Sequence, residues 1–485
     1  MLNSLPAGNT NYHLFWLTLL MLLTVSVHSQ TLLTKEIDKA LKKSCLDKKQ
    51  TSVSVVALPS GKVVYARHTD KPLLPASVTK IITTSAALHY LSPEYRFKTE
   101  VLYSGERKEN ILQGDLIIRG GGDPRLSTER LWRIATTIKN SGINEITGNL
   151  IIDTQFFDEY DRAPAWRAKR SQRAYDAKLS ALSLNFNTIA VHIQPGARLG
   201  SSLNVWLEPP TPYIQLHNTG KTSKRRGKNT ISVSRSETVP GKLEIRIRGR
   251  LPINAKKRVV LLNVNNPTRY ASETFRMLLL KAGIKIDGET KIALTPPTAK
   301  ELYQHFSPTL SLILKDLNTY SNNMTAEQIV KTIAAVRSET AAGSHAEGLK
   351  LISEFLASSG VNLQGVELAD GSGLSRKNRM TTRAMTDLLT SMYSRFDIGP
   401  DFLSSLRVMG AYGVNSRRFA KSPAQGKIRA KTGSLKGVST LAGYVESKNG
   451  SVFGYALFLN NNRCGGRWAD KVEDRVVLAI YEYGE

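Results

Sequence analysis

The sequence predicts an α/β protein of the α+β kind: an antiparallel sheet covered by helices, interrupted by a large β-rich inserted module. Three observations predict it. Past an apolar leader the chain opens with helix, strand and strand patterns. It closes with three strand patterns and a helix. Between them, residues 93–265 are dense in short strand-like runs. Strands drawn from both ends of a chain are most economically placed in one sheet with helices on its faces.

The elements follow in order. No Asp, Glu, Lys or Arg precedes Lys35, and the run "HLFWLTLLMLLTVSV" ends in "HSQT". That is the pattern of a secretory signal peptide over residues 1–29, with cleavage after Ser29. It departs from the pattern in lacking a Lys or Arg ahead of the apolar run, which is itself short for a membrane span. "TKEIDKALKKSCLDK" reads as an amphipathic helix with Ile37, Ala40, Leu41 and Cys45 at helical spacing. "TSVSVVAL" and "KVVYARH" read as strands joined by the turn "PSGK". A helix running to about Tyr90 follows.

At the far end "KIRAKTG", "VSTLAGYVES" and "SVFGYALFLN" read as three strands. Asn449-Gly450 marks a hairpin between the last two. "RWADKVEDRVVLAIYEYG" reads as an amphipathic closing helix. Residues 305–395 are mainly helical in pattern. The expected domains are residues 30–92 with 266–485, and an insert at 93–265 in two parts, about 93–197 and 198–265.

The chain has 485 residues and a net charge of +27. Such a surface calls for an anionic partner. For an exported protein that points away from nucleic acid and toward the carboxylates and phosphates of a cell envelope. The basic residues concentrate between Lys221 and Arg258, where 13 Lys or Arg face Glu237 and Glu244. In "LEIRIRGR", Arg246, Arg248 and Arg250 alternate with apolar residues and would share one strand face. That face is either a solvated surface or a dock for an anionic envelope polymer. The two cysteines, Cys45 and Cys464, either pair across the joined ends or stand as separate thiols.

The chemistry concentrates in three places. "LLPASVTKIIT" puts Ser77 and Lys80 three residues apart at a helix entry prepared by Pro75. The positive end of the helix favours a developing alkoxide. A buried lysine beside a second cation loses its proton readily and can serve as base. "RAKTGSLKGVS" offers that cation, Lys431, on a strand with Thr432, Gly433 and Ser434. Two hydroxyls there suit a substrate carboxylate, and Gly433 would let a substrate backbone lie against the strand. "LNTYSNNMTAEQI" offers Ser321 for proton relay and Asn323 to hold a peptide carbonyl. A single S-x-x-K means little. "RGGGDP" lacks the Lys and hydroxyl of a phosphate loop, and no G-x-S-x-G or H-E-x-x-H occurs. The eight histidines show no metal spacing, so no metal or cofactor is expected.

S-x-x-K, S-x-N and K-T-G in this order resemble the motif set of the penicillin-recognising serine enzymes. The fold implied is the penicillin-recognising serine transpeptidase/β-lactamase-like fold. The stretch between Ser77 and Ser321 is longer than a simple β-lactamase accommodates. It resembles the insert of class C low-molecular-mass penicillin-binding proteins, the D-alanyl-D-alanine carboxypeptidase/endopeptidases of the penicillin-binding protein 4 type. "LQGDLIIRGGGDPRLS", "ITGNLIID", "LSLNFNTIAV", "ADGSGLSRKNR" and "AKTGSLKGVSTLAGYV" carry the likeness from about Lys35 onward.

The resemblance implies roles. Ser77 attacks the bond between two terminal D-alanines of a peptidoglycan stem peptide and becomes acylated, with Lys80 as base. Ser321 and Lys431 pass the proton to the leaving amine. Asn323 orients the acyl side, and Thr432 and Ser434 hold the terminal carboxylate. The N–H groups of Ser77 and Ser434 form the oxyanion hole. β-Lactams enter the same path as covalent inhibitors. Asp153 and Arg376 either face the stem peptide's side chain or serve the fold, and Lys436 lines the same region. The expected location is the periplasm or cell envelope, with peripheral membrane association as an alternative. A β-lactamase or a non-catalytic peptidoglycan-binding protein are the competing readings. No segment resembles the setting of a class A deacylating glutamate.

Overall fold

The computed structural model describes residues 30–167, 171–239, 241–338, 342–411 and 418–484. The expected signal peptide lies outside them. The chain divides into two compact units. One runs to Val78 and resumes over Leu356–Glu367 and from Asn378 onward. The other is Thr79–Phe355 with Leu368–Lys377.

The first unit is built on one six-stranded antiparallel sheet. Its order is Lys62–Arg67, Thr51–Ala57, Val452–Leu459, Val438–Glu446, Ile428–Leu435 and Arg407–Val408. The first and last strands of the sequence pattern thus sit side by side, with Val53 opposite Leu457. The expected hairpin is present: Glu446 pairs with Val452 around Gly450, whose φ of 86° suits glycine.

Both faces of the sheet are covered, which is why Thr51–Ala57 is buried almost throughout. Val53, Val55, Phe453 and Tyr455 join a core with Leu33, Ile37 and Leu41 of the helix at 30–41 and with Val476 and Ile480 of the closing helix Gly466–Tyr483. Each such side chain contributes about 1.5–3 kcal/mol by leaving water. On the other face Ser52 and Ser54 share hydrogen bonds of 2.6 and 3.0 Å with Thr382 and Thr386 of the helix Thr382–Ser394. A disulfide joins Cys45 to Cys464 across 419 residues. This settles the cysteine alternatives in favour of pairing.

The second unit sets three helices, Thr79–Leu91, Leu310–Tyr320 and Asn323–Arg337, beside several small sheets. The strand-like runs of the sequence appear as Lys98–Tyr103, Leu116–Gly120, Leu150–Asp153, Thr188–Gln194 and Lys242–Arg248. Lys285–Ile286, Thr290–Ile292 and Lys300–Phe306, past the expected edge at residue 265, complete two of these sheets. Two helices, Thr128–Asn140 and Pro267–Lys281, cover them. Leu131, Ile134 and Ile138 of the first meet Phe275 and Leu279 of the second in the core.

Arg246 and Arg248 stand on one strand between the buried Ile245 and Ile247, as the alternation predicts. Arg250 does not join them. Gly249, with φ 101°, ends that strand, and Arg250 starts another that pairs with Lys221–Ser223. Arg246 also donates to the buried Glu244 at 2.7 Å.

Candidate active site

In the first unit Ser77 lies in a 3₁₀ turn, Ala76–Val78, and the α-helix begins only at Thr79. The helix entry that the sequence predicts at Ser77 thus falls two residues later. The turn intervenes because Ala76 takes φ 48°, a left-handed conformation that costs a residue with a Cβ about 1–2 kcal/mol. The K-T-G strand and its neighbour hold it there. Thr440 donates to the carbonyl of Pro75 at 2.8 Å. Gly433, paired with Thr440, lies directly against the turn: a Cβ on Gly433 would stand 2.8 Å from the Ser77 nitrogen and 3.1 Å from the Ala76 Cβ. Gly433 therefore leaves room for the turn that carries Ser77.

Lys431 is 1% exposed, and its Nζ donates to the Thr432 carbonyl at 2.7 Å. Thr432 is half-buried; Ser434 and Lys436 are exposed. The strand Ile428–Leu435 is paired along its whole length on one side. On the other, Arg407–Val408 reaches only Arg429 and Ala430. From Lys431 onward, the other side has no strand partner among the described residues. An extended peptide can add to such an edge by main-chain hydrogen bonds. Behind it the closing helix carries the buried Glu473, which accepts from Ser439, the residue opposite Ser434, at 2.7 Å. Burial pushes Glu473 up to about 7, against the pull of Arg418 and of the Ser439 hydroxyl. Arg418 stands 3.0 Å from Glu473 and shares its charge with Asp474 and Asp470.

In the second unit Lys80 is fully buried. Its Nζ donates to Asn323 Oδ1 at 2.7 Å and to the Ser372 carbonyl at 2.5 Å. Burial brings it down to about 8, although Asp370 and Glu327 pull the other way. Two of its N–H bonds are thus committed to fixed acceptors. Asn323 is set by the start of its helix, whose cap Asn322 accepts from Thr325 N–H at 2.9 Å, and its amide donates to the Tyr175 carbonyl at 3.0 Å. Ser321 ends the preceding helix in a left-handed conformation, φ 57°. The Ser321–Asn322 link between the two helices therefore makes a sharp corner, and Ser321 stays half-buried there.

The loop that supplies the Ser372 carbonyl hangs on two buried carboxylates. Glu327 accepts from the N–H groups of Gly371 and Ser372 at 3.1 and 2.9 Å. Asp370 accepts from Gly373 and Ser375 N–H at 2.6 Å each and from the Trp166 indole at 3.0 Å. Burial pushes Glu327 upward, but His345, 3.3 Å away, and the Ser372 and Gly371 donors outweigh it and leave it below the usual range. None of Glu327, Asp370 and Ser372 was singled out in the sequence. Two signals were available. Glu327 is four residues past Asn323, so both share a helix face. Asp-Gly-Ser-Gly is a turn pattern in which the aspartate caps the backbone.

The two remaining expected residues fall elsewhere. Asp153 is buried, with one oxygen on the N–H and hydroxyl of Thr295 (3.0 and 2.6 Å) and the other on Gln155 N–H (3.0 Å). It holds a strand end, the second of the two readings open for it. Arg376 is exposed at the far end of the Asp370 loop.

Against this geometry stand the comparisons. A model of the D-Ala-D-Ala carboxypeptidase 3 (S13) family matches residues 33–480. The D-alanyl-D-alanine carboxypeptidase of Actinomadura sp. (strain R39) is 32% identical, over 93% of this chain and 85% of its own. The D-alanyl-D-alanine carboxypeptidase DacB of Haemophilus influenzae is 26% identical, over 81% of both chains. The crystal structure of penicillin binding protein 4 from Haemophilus influenzae superposes with a TM-score of 0.79 at 23% identity, covering 92% of this chain and 99% of that one. The same protein complexed with a β-lactam gives a TM-score of 0.75.

Proposed function

Because the chain belongs to the D-Ala-D-Ala carboxypeptidase 3 (S13) family of serine peptidases, we propose that Ser77 is its nucleophile and Lys80 the base that activates it. The observation that carries this reading is Lys80 itself, buried, brought down to about 8 and held by Asn323 and Ser372. A lysine is an effective base near neutral pH only when its pKa is lowered in this way.

The neutral amine takes the Ser77 hydroxyl proton as Oγ attacks the carbonyl of the penultimate D-alanine. Oxygen–carbon bonding converts that carbonyl to an oxyanion, which accepts hydrogen bonds from the N–H groups of Ser77 and Ser434. Collapse breaks the peptide bond. Lys80 passes the proton it took through Ser321 and Lys431 to the departing amine, and D-alanine leaves. Water then attacks the ester, giving a proton to the neutral Lys80, which delivers it to Ser77 Oγ as the ester C–O bond breaks. Thr432 and Ser434 receive the terminal carboxylate. Asn323 keeps its carbonyl on Lys80 and orients the acyl-side amide. A β-lactam follows the same first step and stays on Ser77 as a stable ester, so β-lactams act as covalent inhibitors.

Release of D-alanine from a D-Ala-D-Ala peptide tests the assignment. Ser77→Ala and Lys80→Met abolish release while each protein remains folded; release by Ser77→Ala at the parent rate refutes it.

The same reading places the enzyme in the cell envelope, acting on peptidoglycan stem peptides. No helix among the described residues is long and apolar enough to cross a membrane. Residues 93–265, with the strands that complete their sheets, form an insertion in a catalytic domain drawn from 30–92 and 266–485. Arg248, exposed, and Arg246, half-buried beside Glu244, offer a dock for an anionic envelope polymer. Pelleting with envelope material across a salt series tests that dock, and unchanged pelleting of R246A/R248A removes it. Arg376, exposed beside the Lys80 loop, meets the side chain of the stem peptide.

A further inference from the structure

A second cleft lies in the second unit, with a volume of about 1120 Å³. Its floor is one face of the three-stranded antiparallel sheet Asn204–Glu208, Thr188–Gln194, Arg258–Asn263. The other face, with Ile189, Val191 and Ile193, is buried in the core. The cleft face carries Ala190 and His192 on one strand, opposed by Leu261 and Val259 on the next. Val259 and Leu261 are about half exposed, as is Phe306 at the rim. Large apolar side chains left on an open sheet face beside a basic wall mark a surface made for a ligand.

The wall is arginine. Arg130 and Arg133 project from the first turns of the helix Thr128–Asn140, and Arg96 and Arg125 stand beside them. Arg125 is paired with Asp316 at 2.5 Å and Arg133 with the exposed Glu129 at 3.9 Å. The cleft's carboxylates are Glu129 and Glu208, the latter 2.7 Å from His192. Counting Asp316, four guanidiniums face three carboxylates. Arginine rather than lysine is the side chain for bidentate recognition of a carboxylate. His305 closes the wall. It is 8% exposed, and its Nε2 is buried without a hydrogen-bond partner among the described residues. Leaving a buried ring nitrogen unsatisfied disfavours the empty cleft, and a ligand that reaches it removes that cost.

We propose that this cleft is a non-catalytic binding site for a carboxylate-bearing peptide, the uncleaved stem peptide of a peptidoglycan strand. Its carboxylates lie on Arg96, Arg130 and Arg133, with one oxygen reaching His305 Nε2. Its small apolar side chains lie on Val259, Leu261 and Phe306. A phosphodiester polymer would satisfy the arginines but leave that apolar floor unused. The choice of stem peptide rests on the reaction proposed for Ser77. The site would hold the enzyme on the polymer it trims.

The test uses the full chain with Ser77 acylated by penicillin, which closes the catalytic site. Fluorescence anisotropy follows binding of a labelled disaccharide-tetrapeptide from peptidoglycan. The expected result is binding that survives acylation and weakens with salt. It is at least tenfold weaker in R130E/R133E and weaker in His305→Ala, while both variants acylate at the parent rate. Loss of all binding on acylation overturns the proposal. So does parent affinity in R130E/R133E, parent affinity for a fully amidated peptide, or displacement by polyphosphate at lower concentration than by free muropeptide. Failure of penicillin to label Ser77 sinks the catalytic reading instead. Binding is then measured on the unacylated protein, and the comparison with R130E/R133E decides the cleft.

Discussion

The rate of Ser77 acylation should follow the deprotonation of Lys80. Burial sets that group at about 8. Roughly a tenth of the enzyme then carries a neutral amine at pH 7, half at pH 8 and nine-tenths at pH 9. The second-order rate with a fluorescent penicillin should rise about fivefold from pH 7 to pH 8, and about tenfold to its plateau above pH 9. Glu327 and Asp370 both hold Lys80 up. Glu327→Gln removes one of those charges while leaving an acceptor for one of the Gly371 and Ser372 N–H groups, so the inflection should move below 8. Stopped-flow labelling between pH 6 and 10 reads both curves. A rate independent of pH, or an inflection that stays in place or moves upward in Glu327→Gln, refutes the argument. The stability sign is the companion check. A lysine depressed when folded disfavours folding while charged in the unfolded chain. Stability should therefore rise between pH 8 and 10.5, by about 3 kcal/mol at most from this residue, and Lys80→Met should lose that rise in urea titrations.

Glu473 carries the opposite slope. Its folded pKa is raised to about 7 from an ordinary 4.5, so its contribution is full below 4.5 and lost as pH rises through 7. The upper figure is about 3 kcal/mol, and urea unfolding at pH 5 and 8 should show a flatter dependence in Glu473→Gln; equal slopes contradict it. Gly433→Ala drives a Cβ toward Thr440 and the Ser77 nitrogen. It should cost about 1–3 kcal/mol and slow penicillin labelling more than tenfold, whereas labelling at the parent rate means the turn yields freely. Replacing Cys45 and Cys464 by alanine should cost about 2–5 kcal/mol, seen as a lower melting temperature with the labelling rate kept at 25 °C.

Much of the first unit was legible because its signals are periodic. Val53 and Val55 alternate with Ser52 and Ser54, and Asn449-Gly450 marks its hairpin. Ser77, Lys80, Ser321, Asn323 and Lys431 stand out as candidates because three short motifs occur in one order. What stayed hidden depends on contacts distant in sequence. Nothing local in "PASVTK" says that Ala76 is left-handed; Gly433 and Thr440, some 360 residues on, impose it. Glu327 and Asp370 looked like ordinary charges until the fold buried both against one loop. Asp153 was ambiguous for the converse reason: only the chain at Thr295 decides what its carboxylate binds. Arg250 failed the alternation because Gly249 breaks the strand before it.

The central claim is that Ser77 becomes covalently acylated, and intact-protein mass spectrometry after penicillin treatment tests it most directly. The account predicts one added penicilloyl group per chain, located by peptide mapping on the segment containing Ser77. It is absent from Ser77→Ala and formed at least a hundredfold more slowly by Lys80→Met. An unmodified mass, or an adduct on any other residue, contradicts it.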